Sequence, residues 1–222
     1  MTRTSMAMAG TLVTLTMIGV ALMVGSAVPA DLRLPTHWGL NGEPDAFSGK
    51  WVALLTPPAV TAVASLLFYF LPAIEPRREG LQRSQGLYLW GWMAILLMGA
   101  VIDLAVVSAA LGWDIQANHL VTGGLGVVLV LIGNQLGKSR SMYLIGIRTP
   151  WTLASEEVWV KTHRLGGRLM VAGGILMIVA ALLPLPSGLL ATILVATVIL
   201  AAGVPVIYSF LLWRRERVQS SG

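Results

Sequence analysis

The chain has no cysteine among its 222 residues, which removes disulfide frameworks, thiolate metal sites and cysteine nucleophiles together. Charge is also scarce. Only 11% of the residues are Asp, Glu, Lys or Arg, against 56% hydrophobic, and mean hydropathy is strongly positive. A soluble domain of this length cannot hide so much apolar surface in one core, so the chain must use lipid as solvent. Three histidines are present, with no HExxH pattern to mark a zinc hydrolase.

What the sequence does have is a series of apolar runs, at residues 6–28, 51–71, 87–111, 120–136, 169–183 and 188–212. A bilayer core needs roughly 20 apolar residues in a helix, and these runs are read as six spans. The first has small residues at Ser26, Ala27 and Ala30 where a signal peptidase would cut. Its apolar part exceeds the roughly 7–15 residues of a signal core, however, so it is expected to stay as a membrane helix. Pro57 and Pro58 fall inside the second span and should kink it, which membrane helices tolerate. Gly123, Gly124 and Gly126 should let the fourth span approach a neighbour closely. The expected fold is an all-α polytopic membrane protein of six transmembrane helices, with an N-terminal module of three spans over 1–111 and a second module of three over 112–222.

The basic residues orient these spans. With the N-terminus in the cytoplasm, thirteen of the fifteen Lys and Arg fall on the inner side, and only Arg33 and Lys50 fall outside. That asymmetry is the positive-inside pattern, places both termini in the cytoplasm, and accounts for the high isoelectric point without direct nucleic-acid binding.

Two polar intervals stand out. The outer one, 30–50, is rich in Pro, Gly and Asn and reads as a compact connecting loop. The inner one, 133–168, carries six of the fifteen basic residues. It also holds Tyr143, Ile145, Ile147, Trp151, Val158 and Trp159, which can pack, so it should be ordered. Over 153–164 it reads as an amphipathic helix lying on the inner membrane surface. Thr152 or Ser155 would cap it, Glu156 and Glu157 stand in its first turn, Lys161 and Arg164 in its last, and Gly166–Gly167 end it.

The pieces GN.LGK.R, GIRTPWTL and SE.VW.KTHRLGG of residues 133–167 strongly resemble the signature of the SdpI family of bacterial membrane proteins. The outer segment LPTHWGLNGEPDAFSGK resembles the domain of unknown function that commonly precedes that signature. One departure is visible: Ser141 and Met142 stand where a Pro-Asn pair is expected, which removes any polar role at position 142. The resemblance implies an immunity and signalling protein, not an enzyme. Such a protein protects against a secreted peptide toxin and, in its presence, holds a cytoplasmic winged-helix transcriptional repressor at the membrane. Membrane lipids are the remaining expected partners, and no cofactor is implied.

Candidate sites follow. On the inner loop, Asn134, Arg148, Trp151, Glu156, Glu157, Trp159, His163 and Arg164 are partner-binding candidates. Arg148 can bind a carboxylate, either Glu156 or Glu157 of the same loop or one on a partner, with the internal pair favoured. Trp151 and Trp159 read most simply as interfacial anchors. Glu156 and His163 lie seven apart on one helix face, but no nucleophile and orienting partner can be named. On the outer loop, His37, Asn41, Glu43 and Asp45 can be weighed as metal ligands. Their spacing fits no strong motif, and an Asx-type turn explains Asn41 and Asp45 as well. His37, Trp38 and Phe47 can form an external recognition surface. Asp103 is the acidic residue inside a span, either a proton, ion or toxin contact or a hydrogen-bonded structural group. An ion-coupled transporter built on Asp103 is the alternative function, and a membrane-embedded enzyme the weaker one.

Overall fold

The computed structural model describes residues 2–39 and 41–220. In chain order these form α1 (Arg3–Ala27), β1 (Arg33–Trp38), β2 (Pro44–Gly49), α2 (Lys50–Ile74), α3 (Arg78–Arg83), α4 (Gln85–Ala110), α5 (Ala117–Leu136), α6 (Pro150–Ala154), α7 (Glu156–Leu182) and α8 (Ser187–Ser220). Six of them, α1, α2, α4, α5, α7 and α8, are long and apolar enough to cross a membrane. The fold is therefore an all-α polytopic membrane protein.

Helix faces follow the logic of a lipid solvent. In α1 the buried positions are Met6, Gly10, Thr14, Met17, Ala21, Val24 and Gly25, while Met8, Leu12, Leu15 and Leu22 point outward. Lipid is as apolar as leucine, so hydrophobicity does not drive helices together. Packing favours small residues that let backbones approach. Gly10 faces Ser65 of α2 and Leu96 of α4, and Gly99 of α4 faces Thr61 of α2, so α1, α2 and α4 form one three-helix group. Its signature-loop end is aromatic. Phe68 stacks on Tyr88 at 6.1 Å, and Trp92, fully buried, donates from Nε1 to Ser65 Oγ at 2.8 Å.

The second group is α5, α7 and α8, joined to the first where α4 runs along α5. The antiparallel α5–α7 contact rests on two glycine pairs seven residues apart on each helix. A Cβ on Gly126 would lie 2.7 Å from the Gly174 carbonyl oxygen, and one on Gly133 would lie 2.7 Å from that of Gly167. Gly123 and Gly124 meet Ala181 and Val101, as their small size allows. The second span runs as one continuous helix through Pro57, Pro58 and Pro72.

Two features differ from expectation. The outer interval is a β-hairpin, with Arg33 opposite Gly49, Leu34 opposite Ser48 and Pro35 opposite Phe47. Its prolines are tolerated because a two-stranded ribbon has only edge strands and Pro44 begins its strand. The register slips after Pro35, leaving Thr36 in a bulge, and Gly42 turns the chain at φ +80°. Both basic residues of this end hold the hairpin: Arg33 donates to the Phe47 carbonyl at 2.9 Å, and Lys50 to the Val28 carbonyl at 2.8 Å.

The second difference is that residues 153–164 form no separate helix. Residues 156–164 are the first turns of α7, which runs unbroken into the fifth span. Ser155 Oγ caps it by accepting the Val158 N–H at 3.2 Å, with Glu156 and Glu157 in the first turn. Gly166 and Gly167 do not end the helix, because they serve its packing. Gly167 takes the backbone of Gly133, and Gly166 lies against Ile147 and Pro205.

Candidate functional site

The interval 137–155 folds as a compact cap over the ends of α5, α7 and α8. Its floor is the first part of α7. Trp159 and His163, one turn apart, stack face to face with centroids at 3.9 Å, and neither is exposed. Trp159 Nε1 donates to Ser139 Oγ at 3.2 Å, and Ser139 Oγ donates to the Leu136 carbonyl at 2.8 Å. His163 Nε2 lies 2.8 Å from the Ile147 N–H and so accepts it, which leaves Nδ1 to carry the proton it donates to the Trp159 carbonyl at 2.8 Å. Both ring nitrogens are engaged, and the geometry describes a neutral imidazole used as a backbone clamp.

The chain fits over that floor only because Gly146 has no side chain. It sits at φ +121°, where a Cβ would fall 2.7 Å from His163 Nε2 and 2.8 Å from Trp159 Cη2. The next residues turn into α6 through a capping box in which Thr149 and Thr152 cap each other's backbone, with Pro150 at the first helical position. Thr152 is fully buried and also donates to the Ile147 carbonyl at 2.9 Å. Trp151 then ties the loop to α8 by donating from Nε1 to Ser209 Oγ, and packs on Phe210 and Trp213.

The other side of the loop is held from the α2–α3 connection. Glu75 is 1% exposed. Its Oε1 accepts the N–H groups of Arg77 at 2.9 Å and Tyr143 at 3.0 Å, and its Oε2 accepts that of Leu144 at 2.8 Å. Arg77 crosses the same gap. Its guanidinium donates to Ser141 Oγ, to the Leu153 carbonyl at 3.1 Å and to Tyr143 Oη at 3.3 Å, and lies over the Tyr143 ring at 4.6 Å. The sequence signal was faint: a carboxylate closing an apolar span, two residues before an arginine. Met142, where a polar residue was expected, is fully buried among Leu81, Tyr88 and Trp92.

The candidate residues therefore divide. Trp159 and His163 are not open to a partner, and Trp159 is not an interfacial anchor, because both are buried as the floor of the loop. The expected Arg148–glutamate pair is absent: Arg148 is exposed and donates to the Tyr143 carbonyl at 2.5 Å, Glu156 faces Arg140 at 3.8 Å, and Glu157 pairs with Lys161. Geometry is the reason, since α7 turns its first glutamates toward Arg140 and its own next turn. Asn134 and Arg164 are exposed near the loop's edge.

At the opposite end, His37 Nδ1 lies 2.6 Å from Asp45 Oδ1 across the hairpin, and Asn41 Oδ1 accepts the Glu43 N–H at 3.2 Å in the Asx-type turn. No three His, Cys, Asp or Glu among the described residues gather as a metal site. Beneath the hairpin, cavities of 440 Å³ and 330 Å³ share Thr36 and Ile102. Trp38 and His37 border the smaller one, and the Asn118–Ser187 hydrogen bond at 2.8 Å joins α5 to α8 there. Asp103 is buried in α4, and its Oδ1 has no hydrogen-bond partner among the described residues.

A bundle of six spans with a hairpin at one end and a clamped, arginine-bearing loop at the other defines a multi-pass membrane protein whose polar structure is concentrated outside the apolar core. Residues 138–209 match the SdpI/YfhL protein family, and residues 12–62 match the domain of unknown function DUF1648. The chain is thus similar to the SdpI/YfhL family over residues 138–209. It is 26% identical over 147 residues to the immunity protein SdpI of Bacillus subtilis (strain 168), an alignment covering 66% of this chain and 68% of that protein. No solved structure matches it.

Proposed function

We propose that this is a membrane immunity protein that protects its cell against a secreted antimicrobial peptide toxin, by binding and not by catalysis. The observation that carries the reading is the similarity to the immunity protein SdpI. The basic residues support placing the signature loop in the cytoplasm and the hairpin outside. On that orientation the two cavities under the hairpin, the smaller bordered by Trp38 and His37, are the surface offered to a peptide. The exposed loop residues Arg148, Glu157 and Arg164 are the surface offered to a cytoplasmic transcriptional repressor.

Expression in a toxin-sensitive bacterium, challenged with the secreted peptide, tests the first half. Survival at a concentration that kills the empty-vector control is expected, and equal killing despite normal membrane insertion refutes it. A photocrosslinker at exposed Arg148 tests the second half. Toxin-dependent capture of a small DNA-binding protein is expected, and toxin-independent background alone removes the signalling role.

An ion-coupled transporter is the second reading, favoured by the buried, unpartnered Oδ1 of Asp103. Asp103→Asn separates the two: it abolishes ion-coupled transport but leaves toxin protection in place.

A further inference from the structure

A cleft of about 650 Å³ lies between α3 and the signature loop, and neither the loop's architecture nor the immunity reading uses it. Arg77, Arg78, Arg83 and Arg140 line it, against the carboxylates of Glu79 and Glu156 alone, so its walls carry an excess of two positive charges. Arg77 is engaged by the loop. Arg83 meets Glu79 at 2.5 Å and Arg140 meets Glu156 at 3.8 Å, both as exposed pairs of the kind that contribute little. Arg78 is exposed and its side chain has no hydrogen bond or ion pair with any described residue. The guanidinium fork matches a phosphate oxyanion, and several forks converging on one space make a phosphate site.

The neighbouring helix indicates which kind of phosphate. Val60, Val63, Leu67, Phe70 and Ile74 are each more than half exposed, and their spacing of three and four places them on one face of α2. That apolar stripe runs to the end of the helix at Ile74, two residues before Pro76 opens the cleft wall. A free phosphate has no use for such a track, whereas a phospholipid has acyl chains to lay along it. We propose that the cleft binds the phosphate headgroup of an anionic phospholipid, with Arg78 supplying the uncommitted donors, Arg83 joining it from its exposed pair with Glu79, and the acyl chains lying on the exposed face of α2.

Thermal unfolding of the purified full chain in a non-ionic detergent tests this, with separate titrations of phosphatidylglycerol, phosphatidylcholine, inorganic phosphate and a polyglutamate peptide. Phosphatidylglycerol alone is expected to raise the unfolding temperature saturably. The Arg78→Gln/Arg83→Gln variant should need roughly tenfold more of it or greater, because it removes two of the four guanidinium groups that line the cleft. Arg214→Gln/Arg215→Gln, which removes the same charge from the end of α8, should behave as the wild type. An equal effect of phosphatidylcholine overturns the proposal, as does wild-type half-saturation in the Arg78/Arg83 variant. Matching stabilisation by inorganic phosphate assigns the cleft to free phosphate, matching stabilisation by polyglutamate assigns it to an acidic protein segment, and either result refutes the lipid site.

Discussion

Replacing Glu75 by Gln isolates the contact that holds the signature loop from the side of α2. The carboxylate is buried and accepts three main-chain N–H groups, two at Oε1 and one at Oε2. An amide of the same shape has one oxygen and one NH2. Whichever way it is turned, at least one backbone N–H then faces a donor. An unsatisfied buried donor costs about 1–3 kcal/mol, and the surviving bonds weaken by about 1 kcal/mol as their acceptor becomes neutral. The loop should therefore open more easily by about 2–4 kcal/mol, while the six spans, whose packing does not involve Glu75, stay folded. Hydrogen exchange of the detergent-solubilised protein, followed by mass spectrometry, reads this directly. Peptides containing Tyr143 and Leu144 should exchange roughly thirtyfold faster or more, because each 1.4 kcal/mol is a factor of about ten. Glu79→Gln, on an exposed residue of α3, is the control and should leave those peptides unchanged. A change of less than about threefold in Glu75→Gln would refute the idea that this carboxylate holds the loop.

Three further outcomes follow from the same geometry. Gly146→Ala places a Cβ into His163 and Trp159 at a positive φ, so it should destabilise the loop by about 1–3 kcal/mol, measured as faster exchange over residues 144–149. His163→Phe keeps an aromatic face for Trp159 but strands the Ile147 N–H, so it should speed exchange at Ile147 by roughly tenfold or more; unchanged protection there would show that the imidazole is not the clamp. Gly167→Val drives a branched side chain into the Gly133 backbone, so it should lower the thermal unfolding temperature of the whole protein in detergent. Gly188→Ala, at a glycine with open space around it, should not.

The six spans were legible because a bilayer imposes a length and a hydropathy on each helix, and both are written locally in the chain. The same holds for the basic asymmetry, which is a count along the sequence, and for a cap at Thr152 or Ser155 with Glu156 and Glu157 behind it, of which α7 uses Ser155. The signature pieces also marked 133–168 as the region where polar structure is built. The hairpin was not legible because Pro35, Pro44 and Gly42 read as turn formers, and only the pairing of β1 with β2 shows that they fit an edge ribbon.

What the chain could not disclose locally is which side chains meet. Glu75 and Leu144 are 69 residues apart, and nothing near Glu75 announces that its partners are the amides of the signature loop. Arg148 beside a run of glutamates invites an ion pair by proximity in sequence, but α7 rotates those carboxylates to Arg140 and Lys161. Trp159 and His163 look like surface recognition residues until the loop folds over them, a closure that depends on Gly146 at a positive φ and on Ser139 arriving from the end of α5. The sequence by itself determined the solvent, the number of crossings and the place where polar chemistry gathers, because those depend on averages over local stretches. Tertiary structure alone decided which of the gathered residues are buried fasteners and which remain exposed, because that depends on long-range contacts no local average records.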